Sequence, residues 1–245
     1  MSLDLSHLDE CTDAAVRRFW ATRAQASKRQ QASGNADQGE RAGVTAGKNM
    51  DGFSTLLSEL AKANGLTDAE VFTGRSIVTL PGYFRPTKNW DMLIVFKGKL
   101  VAAIELKSQV GPSFGNNFNN RVEEAIGSAC DFLTAFREGA FGDQPRPFLG
   151  WLILVEDDSK SRAPGKHLNT PHFDVFPEFR NASYLDRYEI LCRKLVLENI
   201  YTQTALIASS RTDGQSGKHT SLSEATSLRS FAAAFAGHVA AAAVS

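Results

Sequence analysis

Asp91 is followed, fourteen positions on, by Glu105-Leu106-Lys107. Side chains alternate across an extended chain, so on a strand Glu105 and Lys107 project from the same face. Carboxylates are hard oxygen ligands suited to Mg²⁺, which keeps several waters and shares its shell with a substrate phosphate. A lysine beside them can polarise or deprotonate an attacking water and offset charge on a phosphorane. The chemistry open to such a trio is hydrolysis of a phosphate ester by in-line attack of water. A salt-bridged edge strand carries the same Glu-x-Lys spacing. Here, however, the motif follows a strand too apolar for a surface edge, and a polar segment comes directly after it.

The elements that must position these groups form a hairpin. Leu93 to Phe96 is a short apolar run rich in β-formers, Lys97-Gly98-Lys99 supplies a turn, and Leu100 to Leu106 returns as a second strand. With a three-residue loop Phe96 pairs with Leu100, and Asp91 then falls opposite Glu105. A two-residue loop sends Asp91 to the other face. The proposed chemistry therefore requires the odd loop, which Gly98 permits through a bulged turn.

Residues 108–121 read as a polar loop containing four Asn, one Gln and one Arg. Asn, Gln and Arg make bidentate contacts to adenine and guanine edges in a major groove. Ser108, Gln109, Ser113, Asn116, Asn117, Asn119, Asn120 and Arg121 are the candidate DNA-binding residues. The alternative is a connector using Asn for left-handed turn positions. Asn120 and Glu123 fit a capping box that starts a helix with a buried stripe from Val122 to Phe136. Upstream, Pro81 to Asn89 reads as a rigid basic and aromatic loop that either touches DNA or packs a turn.

Residues 10–31 read as a basic helix and residues 32–50 as a connector or an arm that orders on DNA. Asp51 can cap a helix carrying Phe53, Leu56, Leu57 and Leu60. Glu59 flanks that stripe and could extend a metal site, although a plain exposed acid fits as well. Val71 to Leu80 suggests one more strand. Phe148 to Val155 is a fully buried strand at the sheet centre, and Glu156-Asp157-Asp158 is either a rival metal site or a solvated turn. His167 and His172 lack a third ligand at zinc spacing. Tyr184 to Glu198 is an amphipathic helix, Thr202 to Ser209 a strand, and Ala225 to Val244 a helix that closes the core or meets a second subunit.

The 245 residues suit a single domain, with residues 1–50 as basic helix and flexible arm and 51–245 as core. Apolar content of 42% with 22% charged residues describes a globular chain. No apolar run is long enough for a membrane span, and the first residues do not read as a secretory signal. Three scattered cysteines suit reduced cytoplasmic thiols. Net charge is zero, but it is sorted. From Arg75 to Arg121 there are seven Lys or Arg and only two acids, Asp91 and Glu105. From Arg17 to Lys48 there are again seven against two. Such segments suit a surface that faces polyphosphate.

Gly82-Tyr83-Phe84-Arg85-Pro86-Thr87-Lys88, the Trp90-Asp91 and Glu105-Leu106-Lys107 motif, and Gly111-Pro112-Ser113-Phe114-Gly115-Asn116-Asn117 together resemble the XhoI-type restriction endonucleases. The resemblance spans nearly the whole chain. It implies a PD-(D/E)XK fold of α/β class, a central mixed β-sheet flanked by helices. It further implies a bacterial cytoplasmic type II enzyme, homodimeric on double-stranded DNA, that cuts CTCGAG after the first C and leaves four-base 5′ overhangs. A methyltransferase of the same specificity would accompany it. Asp91 and Glu105 would bind Mg²⁺ and Lys107 would be the catalytic lysine. Trp90 departs from the pattern by standing where the motif has proline. Two other readings remain: a nuclease of the same fold acting on damaged or branched DNA, and a noncatalytic DNA-binding module.

Overall fold

Two apolar runs flank the Lys97-Gly98 turn and form the antiparallel half of the main sheet. In chain order the elements are α1 (Leu8–Ala32), α2 (Asp51–Ala63), β1 (Glu70–Phe72), β2 (Thr79–Pro81), β3 (Thr87–Asn89), β4 (Met92–Phe96), β5 (Lys99–Gln109) and α3 (Phe114–Arg137). They continue with β6 (Phe148–Glu156), α4 (Ser159–Arg162), α5 (Tyr184–Leu197), β7 (Gln203–Ser209) and α6 (Leu228–Ala243). The computed structural model describes residues 3–32, 48–74, 77–165 and 170–245. Of the expected connector or arm over residues 32–50, residues 33–47 lie outside the described residues, as does His167, while Lys48–Met50 form a short 3-10 helix with Met50 buried in the core.

The main sheet has the order β1-β4-β5-β6-β7. β4 runs antiparallel to both of its neighbours, β1 and β5, and β5, β6 and β7 run parallel. Each parallel connection needs a crossover, and α3 and α5 supply the two. All nine residues of β6 are buried, as a strand covered on both faces requires. On one face Met92, Ile94, Ile104, Leu152 and Ile207 pack with Phe19 of α1, Phe53 and Leu57 of α2, and Phe231 and Phe235 of α6. On the other, Leu93, Ala103, Trp151, Ile153 and Leu206 pack with Phe132 of α3 and Leu185 and Tyr188 of α5. The alanine-rich C-terminal helix thus closes the core. The chain is an α/β protein with a mixed sheet flanked by helices.

Three local expectations differ from the structure. Val71 to Leu80 is not one strand: Ile77 donates its amide to the Gly74 carbonyl in a turn. The segment therefore divides between β1, at the main sheet's edge, and β2, which pairs with β3 in a separate two-stranded sheet. The capping box at Asn120 does not form, because α3 already begins at Phe114, with Ser113 before it. Asn is a weak helix former, but Phe114 stacks on Tyr184 with centroids 5.7 Å apart and Phe118 meets Tyr188 edge-on at 5.0 Å. Burial of that i, i+4 aromatic pair outweighs the backbone preference of the asparagines.

The β4–β5 turn differs too, with an instructive outcome. Lys97 and Gly98 both take positive φ, 50° and 74°, and Phe96 pairs with Lys99 across a two-residue loop. Positive φ at both central positions suits a hairpin's right-handed twist. That loop alone would move Asp91 to the wrong face. The register then shifts: Ile94 faces Ala102 while Val95 faces Leu100, leaving Val101 as an extra residue. Beyond this bulge Met92 pairs with Ile104, and Asp91 donates its amide to the Ile104 carbonyl at 3.2 Å. The Val101 carbonyl, displaced from the ladder, lies 3.1 Å from Nε2 of His238 on α6 and accepts its hydrogen bond.

Candidate active site

Glu105 and Lys107 alternate with Ile104 and Leu106, which point into the α1–α2–α6 layer. The two charged residues therefore point to the α3–α5 side, where they meet Asp91. Lys107 Nζ donates to Asp91 Oδ2 at 2.8 Å and also contacts Glu105 Oε2. Asp91 Oδ2 further accepts the Leu106 amide at 2.8 Å. Glu105 is nearly enclosed, with 3% of its side chain exposed, whereas Asp91 keeps 30% and Lys107 21%. The cluster is buried on its glutamate side and open on its aspartate side.

The electrostatics follow from that placement. Burial pushes the Asp91 carboxyl up, but the Lys107 charge and the hydrogen bonds from Lys107 and Leu106 outweigh it and hold Asp91 below its ordinary value. Glu105 is raised, first by burial and then by the Asp91 charge, against the pull of Lys107 and Lys88. Burial alone would lower Lys107, yet the Glu105 and Asp91 charges raise it well above an ordinary lysine. Lys107 is thus firmly an ammonium.

A fourth group completes the site and was not singled out from sequence. Lys88, from β3 of the separate hairpin, contacts Glu105 Oε1. It donates to the Asn89 carbonyl at 3.0 Å and stands 4.6 Å from the Trp90 ring centroid. The available signal was alternation: Lys88 and Trp90 are two apart and share a face in extended chain.

The arrangement fits a hard divalent cation. One nitrogen, Nζ of Lys107, reaches oxygens of both carboxylates, so the pair converges on a point where a cation is already tolerated. Among the described residues no group of three His, Cys, Asp or Glu gathers at one place. Glu59 is exposed on α2, whose apolar stripe packs against the opposite face of the sheet. Its bond is from Cys11 Sγ at 3.7 Å. The acidic triplet divides among three separate tasks. Glu156 is buried, accepts the Gly111 amide at 2.8 Å and pairs with Arg211 Nε at 2.5 Å. Asp157 pairs with Arg162, and Asp158 caps α4. His172 is exposed in a loop.

The expected DNA-binding residues do not share one loop. Ser108 and Gln109 end β5, a short turn follows, and Asn116, Asn117, Asn119, Asn120 and Arg121 lie in the first turns of α3. Gln109 is placed otherwise than expected, because it is buried. Its amide donates to the Val110 and Ser113 carbonyls at 3.3 and 3.4 Å and accepts from the Tyr188 hydroxyl at 3.4 Å. It therefore stitches the turn. Ser113, Asn116 and Asn120 are exposed, and Asn117 and Arg121 half-buried. These five share one stripe by i, i+3 and i+4 spacing. Asn119 instead faces the groove that Phe118 and Val122 form with Phe176 and Leu191. In the upstream segment, the buried Asp131 carboxylate accepts the amides of Tyr83 and Phe84 at 2.7 and 2.8 Å and pairs with Arg85 at 2.7 Å. The loop is thus pinned to α3 through Asp131, and its two aromatic side chains are exposed.

The XhoI restriction endonuclease family model matches residues 29–221. The chain is 55% identical over 199 residues to the type II restriction enzyme XhoI of Xanthomonas vasicola, covering 81% of this chain and 79% of that one. The chain belongs to the XhoI family of type II restriction endonucleases. Two further relatives of this chain are the type II restriction enzymes BstVI of Geobacillus stearothermophilus and AbrI of Azospirillum brasilense. BstVI is 54% identical, covering 76% of this chain and 84% of its own, and AbrI is 53% identical, covering 74% and 78%. No solved structure matches the chain. As a type II restriction endonuclease this XhoI-family protein acts on double-stranded DNA, and such enzymes generally use a divalent metal ion. No helix among the described residues is long and apolar enough to cross a membrane.

Proposed function

We propose that this protein is a Mg²⁺-dependent endonuclease that cuts both strands of CTCGAG after the first C, leaving four-base 5′ overhangs with 5′-phosphates. The observation that carries the reading is the convergence of Asp91 Oδ2 and Glu105 Oε2 on the single Nζ of Lys107. Asp91 and Glu105 would hold the cation, leaving the rest of its shell to water and phosphate. When bound, Mg²⁺ supplies a Lewis acid that acidifies water and screens the scissile phosphate. The chain's own share is positional and electrostatic. Lys107, held as an ammonium, offsets charge that grows on the phosphate oxygens as water attacks in line. The Leu106 amide fixes the Asp91 carboxylate, so the site needs little reorganisation as charge moves.

Base reading is assigned to the stripe Ser113, Asn116, Asn117, Asn120 and Arg121 on α3, since a helix is the element that fits a major groove. Ser108 and Gln109 support the turn that starts it, and Asn119 lies beside it. A palindrome has two-fold symmetry, so the working unit is a homodimer in which each subunit cuts one strand. Cutting at this site in a bacterial cytoplasm requires a methyltransferase of matching specificity to protect the host DNA.

A plasmid with a single CTCGAG site, incubated with the protein with and without Mg²⁺, tests this reading. Linear product with four-base 5′ ends, seen only with Mg²⁺, is expected. Cleavage at another sequence, preference for branched DNA, or tight binding without cutting would each replace it.

A further inference from the structure

We propose that Lys88 is a positioning residue that keeps the carboxylate pair closed to a divalent cation until DNA is bound. This rests on the assignment of Asp91 and Glu105 as the cation's ligands. Both oxygens of Glu105 are occupied by ammonium groups, Oε1 by Lys88 and Oε2 by Lys107. A dication bridging Asp91 and Glu105 must share an oxygen that an ammonium already holds, and repulsion between the two cations favours displacing one ammonium. Lys107 is gripped from two sides, by Asp91 and by Glu105. Lys88 holds only one carboxylate, together with the Asn89 carbonyl and the Trp90 face. It also comes from a hairpin that, among the described residues, pairs with no other strand, with three paired positions between β2 and β3. Lys88 is therefore the group that gives way.

The charges decide when it gives way. Two ammoniums against two carboxylates leave the pocket formally neutral, so an incoming dication meets little net attraction. A lysine side chain only 12% exposed beside an almost buried glutamate loses much of its hydration, which the ion pair must offset. A DNA phosphate brings the missing negative charge. It also offers Lys88 a second anion to hold once Glu105 turns to the cation. DNA and cation then favour each other's binding, and by linkage each strengthens the other equally.

The test uses Ca²⁺ as the probe in calorimetric titrations of the whole protein, free and bound to a CTCGAG duplex. Lys88→Met is expected to bind Ca²⁺ at least tenfold more tightly than wild type without DNA, whereas Lys88→Arg stays near wild type. In wild type, DNA is expected to tighten Ca²⁺ at least tenfold, and in Lys88→Met by much less. A merely structural lysine would not raise cation affinity when lost. Equal Ca²⁺ affinity of folded Lys88→Met and wild type without DNA overturns the proposal, as does wild-type Ca²⁺ affinity indifferent to DNA. Should methionine at 88 prevent folding, Lys88→Gln, uncharged but able to donate to Glu105, carries the same comparison. Asp91→Ala separates the two levels. If it leaves Ca²⁺ binding intact, the ligand assignment fails; if it abolishes binding while Lys88→Met gains nothing, only the role of Lys88 fails.

Discussion

Lys107 holds both carboxylates at once, and their charges favour its ammonium form. Sequence alone allowed it either to deprotonate water or to offset charge. Raised well above its ordinary value by Glu105 and Asp91, it is poised for the second task. Lys107→Ala is therefore expected to lower cleavage by on the order of 10³-fold or more, while specific duplex binding in Ca²⁺ persists. A plasmid assay and a binding titration together check this, and unchanged cutting would remove the role. Asp91, Glu105 and Lys107 were legible in sequence because their spacing is periodic and their flanks are apolar. Lys88 was hidden among basic and aromatic residues of a neighbouring hairpin. No local pattern reports that two separate sheets touch at one glutamate.

At the scale of elements, α3 shows where composition misleads. Four asparagines and a glycine in 115–120 resemble a loop, yet the chain is helical from Phe114. The reason lies about seventy positions away, in Tyr184 and Tyr188 of α5, which receive Phe114 and Phe118. Gly115 belongs to the same contact, since a Cβ there would lie 2.8 Å from the Tyr184 hydroxyl. Such long-range packing has no signature in a short window. The helix also changes how the proposed DNA contacts would be distributed. Replacing Asn116, Asn117 or Arg121 by alanine is expected to weaken specific binding by about 1–3 kcal/mol each and nonspecific binding far less. Competition between a CTCGAG duplex and random duplex measures the difference. Equal losses on both would reduce these side chains to phosphate contacts.

At the scale of the whole molecule, one helical layer carries the candidate DNA-reading face and the other anchors the hairpin that makes the site. His238 of α6 ties that anchor to the bulge through the Val101 carbonyl. Burial, opposed by that hydrogen bond, lowers the His238 pKa. The folded state then takes up a proton less readily than the unfolded chain. Its contribution to stability is present above the ordinary histidine value of about 6.5 and is lost as pH falls through the folded value. Thermal melts between pH 8 and pH 5 should show a steeper loss for wild type than for His238→Gln, and parallel curves would deny the effect. The layers and most elements could be read from apolar periodicity, whereas the facing of Asp91 and Glu105 was legible only on condition of a three-residue loop, and the structure reaches it with a two-residue turn and a bulge. Two irregularities, a short turn and an added residue, cancel like a pair of compensating reading-frame changes. The odd number of residues between Asp91 and Glu105 is met by a two-residue turn plus one bulged residue. Deleting Val101 should therefore leave a regular hairpin with Asp91 still opposite Glu105 and cleavage retained, whereas inserting one alanine between Met92 and Leu93 should turn Asp91 to the other face and silence it.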